Sequence, residues 1–405
     1  MQKPVEAIGR DPVAVPITEA WRDFPGAGGK TYLDVAARGI MPRMTRDALD
    51  AHLDELTAGA VNKSGYFTMI EQVRSSFARL INADADEIAF TKNTSEGLNI
   101  VATALDWQAG DNLILCPSVE HPANFYPWRN LQRAGVELRT VAARDGVVPV
   151  DEVASRIDHR TRLVTTAAVN FVPGLRTDIA GLGRICQARN VLLVVDAAQS
   201  VGVMATDVRA MGIDALSCST QKGMLALYGM GFLYVRRALA ERMRPAYLSR
   251  FGINLGGASE ADFEDHYTLA SGARRFDVGN FNFPASVAAG ASLAYLSRHT
   301  PPVIEDYVLG LAGDLRRGLG ALGLHVCGGL SGPHLAHIVT VGQVVAGGHD
   351  LADDRRLQGL YEHLLARGVR LSIRRGALRF SFHLYNRAED VARVLDLAAT
   401  FLRKA

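Results

Sequence analysis

The chain has little cysteine, no strong excess of charge and no long apolar run, and each absence narrows its possible functions. Its 405 residues include only 4 cysteines, far apart in sequence, which predict neither a disulfide framework nor a metal centre. The net charge of +2 comes without a basic block, so we do not expect nucleic acid as a partner. No apolar run reaches the roughly 18 residues that a membrane span requires, so we expect no membrane partner.

The beginning of the chain also lacks a feature, the apolar core of a signal peptide. The stretch "MQKPVEAIGRDPVAVPITEAW" carries charges and prolines where that core would lie. Together with the scarcity of cysteine, this predicts a cytoplasmic location.

What the chain does have is an alternation of helix and strand patterns from about residue 45 to 240. Several strand patterns, such as "DNLILCP" and "VLLVVDAA", are apolar on both faces, which is typical of a mainly parallel sheet covered by helices. From about residue 285, two long helical patterns precede shorter strands and a last helix. We therefore predict an α/β large domain at 45–284, and a smaller α+β domain made of 1–44 and 285–405.

One lysine stands apart from other charges. Lys222 ends "STQK" and is followed by the uncharged run "GMLALYGMGFLYV". A lysine in such surroundings is predicted to be at least half-buried, where an ammonium is costly unless it is paired or chemically changed. The question is which partner the chain offers.

Asp196 is the candidate partner, 26 residues before Lys222 and at the end of the apolar run "VLLVV". Open α/β sheets bind ligands at the carboxyl ends of their strands, although a cap or turn residue would fit there too. A dinucleotide site is disfavoured, because "DIAGLGRICQARN" supplies only Gly181 and Gly183 within a helical pattern. A pyridoxal phosphate enzyme needs both groups: a lysine amine for the imine and a carboxylate at the pyridine nitrogen.

The motif around these two residues resembles the class V aminotransferase family, with its cysteine desulfurase-like and isopenicillin N epimerase-like members. Asp196 and Gln199 match its aspartate and glutamine, and Ser219 and Lys222 match its serine and Schiff-base lysine. Gln221 replaces the family's histidine beside the lysine, which leaves the role of Gln221 open. The resemblance implies pyridoxal phosphate as cofactor, no metal, and fold type I. That fold has a mainly parallel seven-stranded sheet flanked by helices, plus a smaller α+β domain.

Other segments extend the resemblance along the chain. "TKNTSEGLNIVA" resembles the phosphate cup, which would place Thr94 and Ser95 at a helix start, where N–H groups and the helix dipole favour an anion. A capping box that uses Glu96 is the alternative, and both interpretations can hold together. His121 matches the histidine that stacks on the pyridine ring, and Asn170 the asparagine beside the cofactor's phenolic oxygen and the substrate. The resemblance assigns that same oxygen to Gln199.

Two further matches concern the partner subunit and the substrate. "RFDVGNFNFP" resembles the segment that crosses a dimer interface, so Asn280 is expected to reach the phosphate of the other subunit in a homodimer. Arg379, in the apolar strand "LRFSF", matches the family's arginine for the substrate α-carboxylate, and its planar fork suits a carboxylate. The expected partner is therefore a small amino-acid substrate. The role of His383 stays open.

The reaction is less determined than the cofactor. Lys222 is expected to move the Cα proton as general base, but transamination, racemisation and β-elimination use the same core residues. We predict an aminotransferase, with a racemase or epimerase and a C–S lyase as alternatives. A protein that binds the cofactor without catalysis is disfavoured by the retained lysine, aspartate, histidine and arginine. A persulfide-forming cysteine desulfurase is not expected, because "LSIRRGAL" before Arg379 lacks a cysteine and Cys327 lies about 50 residues away.

Borohydride reduction followed by peptide mapping tests the assignment of Lys222. Hydride converts the imine into a stable secondary amine, so the cofactor should remain attached to the peptide that contains Lys222. Lys222→Ala should abolish the label and the yellow colour of the purified protein. A label on another lysine would refute the assignment.

Overall fold

The computed structural model describes residues 15–60, 62–254, 266–345 and 350–404. Within these residues the α-helices are α1 (Arg43–Thr57), α2 (Lys63–Leu80), α3 (Thr94–Ala104), α4 (Tyr126–Asn130), α5 (Val150–Arg156), α6 (Ile179–Ala188), α7 (Arg237–Ala240), α8 (Phe283–Leu296), α9 (Pro301–Ala321), α10 (Arg355–Ala366) and α11 (Ala388–Leu402). The strands are β1 (Thr31–Tyr32), β2 (Ile88–Thr91), β3 (Asn112–Leu115), β4 (Glu137–Thr140), β5 (Thr161–Ala167), β6 (Leu192–Asp196), β7 (Ala215–Ser219), β8 (Gly231–Val235), β9 (Ile253–Asn254), β10 (Thr268–Leu269), β11 (Ile338–Val341), β12 (Val369–Arg370), β13 (Ser372–Arg374) and β14 (Ala377–Ser381).

A seven-stranded sheet forms the centre of the molecule, with the strand order β2-β8-β7-β6-β5-β3-β4. Adjacent strands of this sheet pair in parallel, except that β8 runs antiparallel to both β2 and β7. Every residue of β3, β7 and β8 is buried, as their two-faced apolar sequences require. The predicted α/β fold with a mainly parallel sheet is thus confirmed. No helix among the described residues is long and apolar enough to cross a bilayer.

The alternation of side chains along β6 decides where its last residue lies. Leu193 and Val195 join the core on the face covered by α2 and α6, and Val194 joins the core on the α3 face. Because side chains alternate along a strand, Asp196 follows Val194 onto the α3 face. The apolar run that builds β6 therefore delivers a carboxylate to the edge of the sheet next to α3.

A second, smaller core lies beside the sheet. It contains the antiparallel strands β11-β14-β13 together with residues of α9, α10 and α11, and β1 pairs with β12 at its margin. Helix α8 contributes to both cores, with Ala285 and Ala288 under the sheet and Tyr295 and Leu296 in the smaller core. The predicted division at residue 284 stays a prediction, and its parts at 1–14, 61, 255–265, 346–349 and 405 lie outside the described residues.

A buried ion pair fastens the segment before α8 to the sheet. Arg74 of α2 donates to the Asp277 carboxylate over 2.8 Å and to the Ile88 carbonyl over 2.5 Å. The other Asp277 oxygen accepts from the Phe90 N–H over 2.9 Å. Since both charged groups are buried, removal of either partner would leave an uncompensated charge, and the pair fixes the chain that leads to Asn280.

Candidate active site

A carboxylate and an amine lie near enough at the carboxyl edge of the sheet for each charge to act on the other. Asp196 is only 4% exposed, and its Oδ1 accepts from the Ala198 N–H over 2.9 Å, while its Oδ2 has no hydrogen bond among the described residues. Burial raises the pKa of Asp196, and the charge of Lys222 opposes that rise. Lys222 itself is half-buried. Desolvation lowers the pKa of its amine to about 8, against the opposing effect of Asp196.

The amino end of α3 forms a cradle of small polar groups. Ser219 Oγ accepts from the Thr94 N–H over 2.8 Å and lies 2.6 Å from Thr94 Oγ1, and Ser217 Oγ donates to the Thr94 carbonyl over 3.0 Å. Gly97 permits this close approach, because a Cβ there would lie 2.2 Å from Ser217 Oγ. Ser95 is half-buried in the same first turn. Hydroxyl groups at the start of a helix are donors of the kind that can bind an anion.

The cap of α3 differs from the capping box considered from the sequence. The N-cap residue is Asn93, whose side chain accepts from the Glu96 N–H over 3.0 Å. The Glu96 carboxylate accepts from the Lys92 N–H instead of from Thr94 or Ser95. Asparagine takes the cap because its short side chain reaches the third N–H of the helix, so the two hydroxyls are not needed for capping.

His121 stands on the loop after β3. Its Nδ1 accepts from the Ala123 N–H over 3.1 Å, so the neutral ring carries its proton on Nε2. The ring makes an edge contact with Phe171, with 5.3 Å between centroids and an interplanar angle of 86°. The exposed face of His121 can therefore cover a flat ligand.

A buried carboxyl group on the same loop, that of Glu120, was missed by sequence reasoning. Glu120 accepts from Asn124 Nδ2 over 2.8 Å and from the Ala167 N–H over 2.9 Å. Asn124 in turn accepts from Thr165 Oγ1 and from the indole of Trp128. Burial raises the pKa of Glu120 to about 8, and the negative charge of Asp196 adds to the rise. The acid directly before His121 in "SVEHPAN" was the signal available.

Three amide side chains of the predicted site have different surroundings. Gln199 Nε2 donates to the Ala36 carbonyl over 2.9 Å. Asn170 Oδ1 accepts from the N–H groups of the turn at 174–175, and its Nδ2 donates to the Gly146 carbonyl over 3.1 Å. Gln199 and Asn170 thus each keep one further side-chain N–H for a ligand. Gln221 is half-buried, and its backbone carbonyl accepts from the Gly39 N–H.

Arg379 reaches the site from β14 of the smaller core. The side chain is buried, donates to the Phe171 carbonyl over 2.9 Å and to Ser372 Oγ over 3.2 Å, and lies 3.7 Å from an Asp34 oxygen. Desolvation lowers the pKa of Arg379 to about 10. Asp34 is a second residue that sequence reasoning missed, although it stands in the quoted segment "YLDVAARGIMP".

The remaining predicted residues lie apart from this cluster. Asn280 is exposed, and no described hydrogen bond joins it to Thr94, Ser95 or Ser219 of its own chain. All four cysteines are buried, and desolvation raises the pKa of Cys186 to about 12 and of Cys327 to about 11. Within the described residues, no group of three or more acidic, histidine or cysteine side chains could hold a metal ion.

The sheet with this acid and lysine at its carboxyl edge is that of the fold-type I pyridoxal phosphate enzymes, and pyridoxal phosphate is the cofactor. The chain belongs to the class-V aminotransferase family, whose model matches residues 31–394.

Three similar proteins are named for the same activity. A probable cysteine desulfurase of Methanothermobacter thermautotrophicus is 32% identical over 91% of this chain and 94% of that protein. A probable cysteine desulfurase of Pyrococcus abyssi is 30% identical over 93% of this chain and 95% of that protein. The apo structure of the cysteine desulfurase from Thermococcus onnurineus NA1 superposes with a TM-score of 0.83 at 25% identity. It covers 96% of this chain and 98% of that one.

These comparisons correct the function predicted from the sequence. We expected an aminotransferase, with an epimerase or C–S lyase as alternatives, and excluded a cysteine desulfurase. That prediction is wrong, because two relatives that match over more than 90% of the chain are named probable cysteine desulfurases, and the similar solved structure is that of a cysteine desulfurase. The missing cysteine before Arg379 concerns where a sulfur atom goes, and it does not decide whether the substrate's C–S bond breaks.

The pH dependence of stability tests the environment of Glu120. Its carboxyl has a raised pKa in the folded protein, so its contribution to stability is present below the ordinary value of 4.5 and lost as pH rises through about 8. Glu120→Gln stays neutral. The variant should therefore gain stability relative to wild type, on the order of 2–4 kcal/mol, between about pH 5 and pH 9.

Chemical denaturation at the two pH values measures this difference. Any loss from replacing a hydrogen-bonded oxygen by nitrogen cancels, because it is present at both pH values. Glu137→Gln, at an exposed carboxylate, is the matched control and should show no such change. An equal offset for Glu120→Gln at both pH values would contradict a buried carboxyl group with a raised pKa.

Proposed function

We propose that this enzyme removes the sulfur atom from cysteine, as a cysteine desulfurase. The observation that carries the proposal is the relative at 32% identity over 91% of the chain, which is named a probable cysteine desulfurase. The arrangement of Asp196, Lys222 and Arg379 supports it, because it offers groups for the cofactor, for a proton and for an amino-acid carboxylate. We draw the substrate from the relatives and the residue roles from the geometry.

The cofactor fits the groups at the edge of the sheet. Pyridoxal phosphate, when bound, withdraws electrons from the substrate's α-carbon. Asp196 Oδ2, the oxygen without a described partner, would accept the proton of the pyridine nitrogen. A cationic partner there offsets the cost of burying the carboxylate. Lys222 would carry the covalent link, and its amine with a pKa of about 8 suits this bond.

Other residues would orient the cofactor. The first turn of α3, with Thr94, Ser95 and Ser219, would hold the phosphate. Gln221 would add a donor beside it. The His121 ring would cover the pyridine face, since the edge contact with Phe171 fixes its orientation.

The amides and the arginine would position the ligands. Gln199 and Asn170 each keep an N–H that would reach the phenolic oxygen. Arg379 would bind the substrate carboxylate, since its fork contacts Asp34 only at 3.7 Å and is pre-oriented by the Phe171 carbonyl. The Lys222 amine would then move the proton at Cα.

We also propose a homodimer in which Asn280 serves the cradle of the other subunit. Exposed apolar side chains lie in and next to the segment, with Tyr228 at 59%, Tyr247 at 45% and Val278 at 44% exposure. The residues after Tyr228 and Tyr247 contact it, because Asn282 Nδ2 donates to the Gly229 carbonyl and Ser249 Oγ donates to the Asp277 carbonyl. Tyr247 donates to Glu96 Oε1 over 3.3 Å, so this surface lies beside the amino end of α3. A second copy would cover it. The cytoplasmic location stays a prediction.

Sedimentation tests the dimer. Tyr228→Asp combined with Val278→Asp should shift the protein to monomers, because two carboxylates would be buried without partners. Cofactor affinity should fall with it, because Asn280 of the second subunit is withdrawn. Leu351→Asp, at an exposed leucine outside this surface, should leave the dimer intact. A wild-type monomer with full cofactor content would contradict the proposal.

Product analysis with L-cysteine and excess dithiothreitol tests the activity. The Cβ–S bond breaks, Cβ keeps the electron pair and gains a proton, and the zero-valent sulfur passes to a dithiothreitol thiolate to form a persulfide. Dithiothreitol then reduces the persulfide to sulfide and becomes a disulfide itself. We expect alanine and sulfide in equal amounts. Pyruvate and ammonia in place of alanine, or amino transfer to a keto acid, would contradict desulfuration.

The variant Asp196→Asn, measured in the same assay, tests the role of Asp196 in the reaction. A neutral amide does not hold the ring proton, so turnover should fall by about 10²-fold or more while the cofactor stays bound. Asp151→Asn, at an exposed aspartate paired with Arg144, is the matched control and should retain activity.

A further inference from the structure

The backbone around Lys222 is held by an unusually complete set of hydrogen bonds. Each of the five consecutive carbonyl groups from 220 to 224 accepts one. Two donors are local, and three come from distant segments. The Ala226, Gly39 and Leu225 N–H groups donate to the carbonyls of residues 220, 221 and 222, respectively. His383 Nε2 donates to the carbonyl of residue 223, and Ser292 Oγ to that of residue 224.

This loop, residues 220–226, is also tightly enclosed. Leu225 has a φ of 54°, in the left-handed region that a branched side chain rarely adopts. A Cβ on Gly39 would lie 2.4 Å from the Lys222 carbonyl, and a Cβ on Gly202, 2.3 Å from the Gly223 carbonyl. The loop is therefore kept in a strained conformation by its surroundings, and its external donors are part of that constraint.

His383 is the ionisable group among those donors. Its Nδ1 accepts from the Leu384 N–H over 2.8 Å, so its proton lies on Nε2, which is 2.8 Å from the Gly223 oxygen. The ring is buried and stacks on Tyr385 at 5.5 Å and 14°. Burial lowers the pKa of His383 to about 4, so it stays a neutral donor through the neutral pH range.

The position of His383 connects two parts of the site. It follows Arg379 by four residues, just beyond the end of β14. The peptide carbonyl that it binds belongs to the residue directly after Lys222. One stretch of the smaller core thus carries the guanidinium for the substrate and the donor for the lysine loop.

We propose that His383 is a positioning residue for the reaction at Lys222. Its Nε2–H fixes the lysine loop, through the Gly223 carbonyl, in the orientation that suits a substrate held by Arg379. The kinetic test of this inference rests on the proposed function, because it measures turnover of L-cysteine. The spectroscopic test requires only that the cofactor binds.

Two amide variants of the holoenzyme separate the roles of the two ring nitrogens. The amide nitrogen of His383→Gln can reach the place of Nε2, whereas that of His383→Asn reaches only the place of Nδ1. For His383→Asn we expect kcat on L-cysteine to fall by about 10- to 100-fold with KM nearly unchanged, because the reacting amine is misplaced while Arg379 is not. His383→Gln should keep kcat within about threefold of wild type.

The pH titration of the bound cofactor's visible absorption gives a second reading. A loosened loop exposes the Lys222 nitrogen to water, which favours its protonated form, so the apparent pKa should rise in His383→Asn and much less in His383→Gln. His337→Asn is the matched control, since His337 is equally buried in the same core and its Nδ1 has no partner among the described residues. It should change stability but neither the titration nor kcat.

The outcomes separate this inference from the proposed function. If His383→Gln and His383→Asn have the same kcat and the same apparent pKa in the absorption titration, the positioning role is overturned, even if both variants unfold at a lower temperature than wild type. If the wild-type enzyme releases no sulfide from cysteine, the desulfurase proposal fails. The absorption titration then still decides the role of His383, because it needs only the bound cofactor.

Discussion

The candidate active site depends on the electrostatic interaction of a buried carboxylate with a half-buried amine at the edge of the sheet. Strand β6 is apolar up to Asp196, and the buried carboxylate has little access to water, so burial raises the pKa of Asp196 while it lowers that of Lys222. Each charge reduces the cost of the other. A cationic ring nitrogen bound beside Asp196 would reduce that cost further, which is the physical basis of the proposed role of Asp196 toward pyridoxal phosphate.

The second constraint is the attachment of the smaller core to this edge. Arg379 reaches across to the Phe171 carbonyl, and Phe171 contacts the ring of His121. His383 binds the loop that carries Lys222. Movement of the smaller core relative to the sheet would therefore disturb Arg379, the ring of His121 and the Lys222 loop together. Buried, mutually satisfied polar contacts of this kind resist such movement.

Periodicity and local motifs in the sequence were enough to predict the central sheet and its cofactor. The apolar run before Asp196 marked a central strand, and the pairing of that aspartate with Lys222 led to the cofactor. The capping of α3 was less predictable, because Asn93 competes with the neighbouring hydroxyls and only geometry shows which side chain reaches the Glu96 N–H. The exclusion of a desulfurase failed because it weighed one short segment, whereas the similarity to desulfurases extends over the whole chain.

The sequence by itself determined the parallel sheet, the cofactor and the family, because these depend on repeating patterns and on a few residue types at fixed spacings. The tertiary structure alone decided the contacts between distant segments. Asp34 lies beside an arginine 345 residues later, and Glu120 forms a buried network with the ends of neighbouring elements. The five groups that donate hydrogen bonds to the carbonyls around Lys222 come from three regions of the chain besides the loop itself. No local pattern encodes such contacts, because they arise only when the apolar faces of separate elements pack and bring their polar ends together.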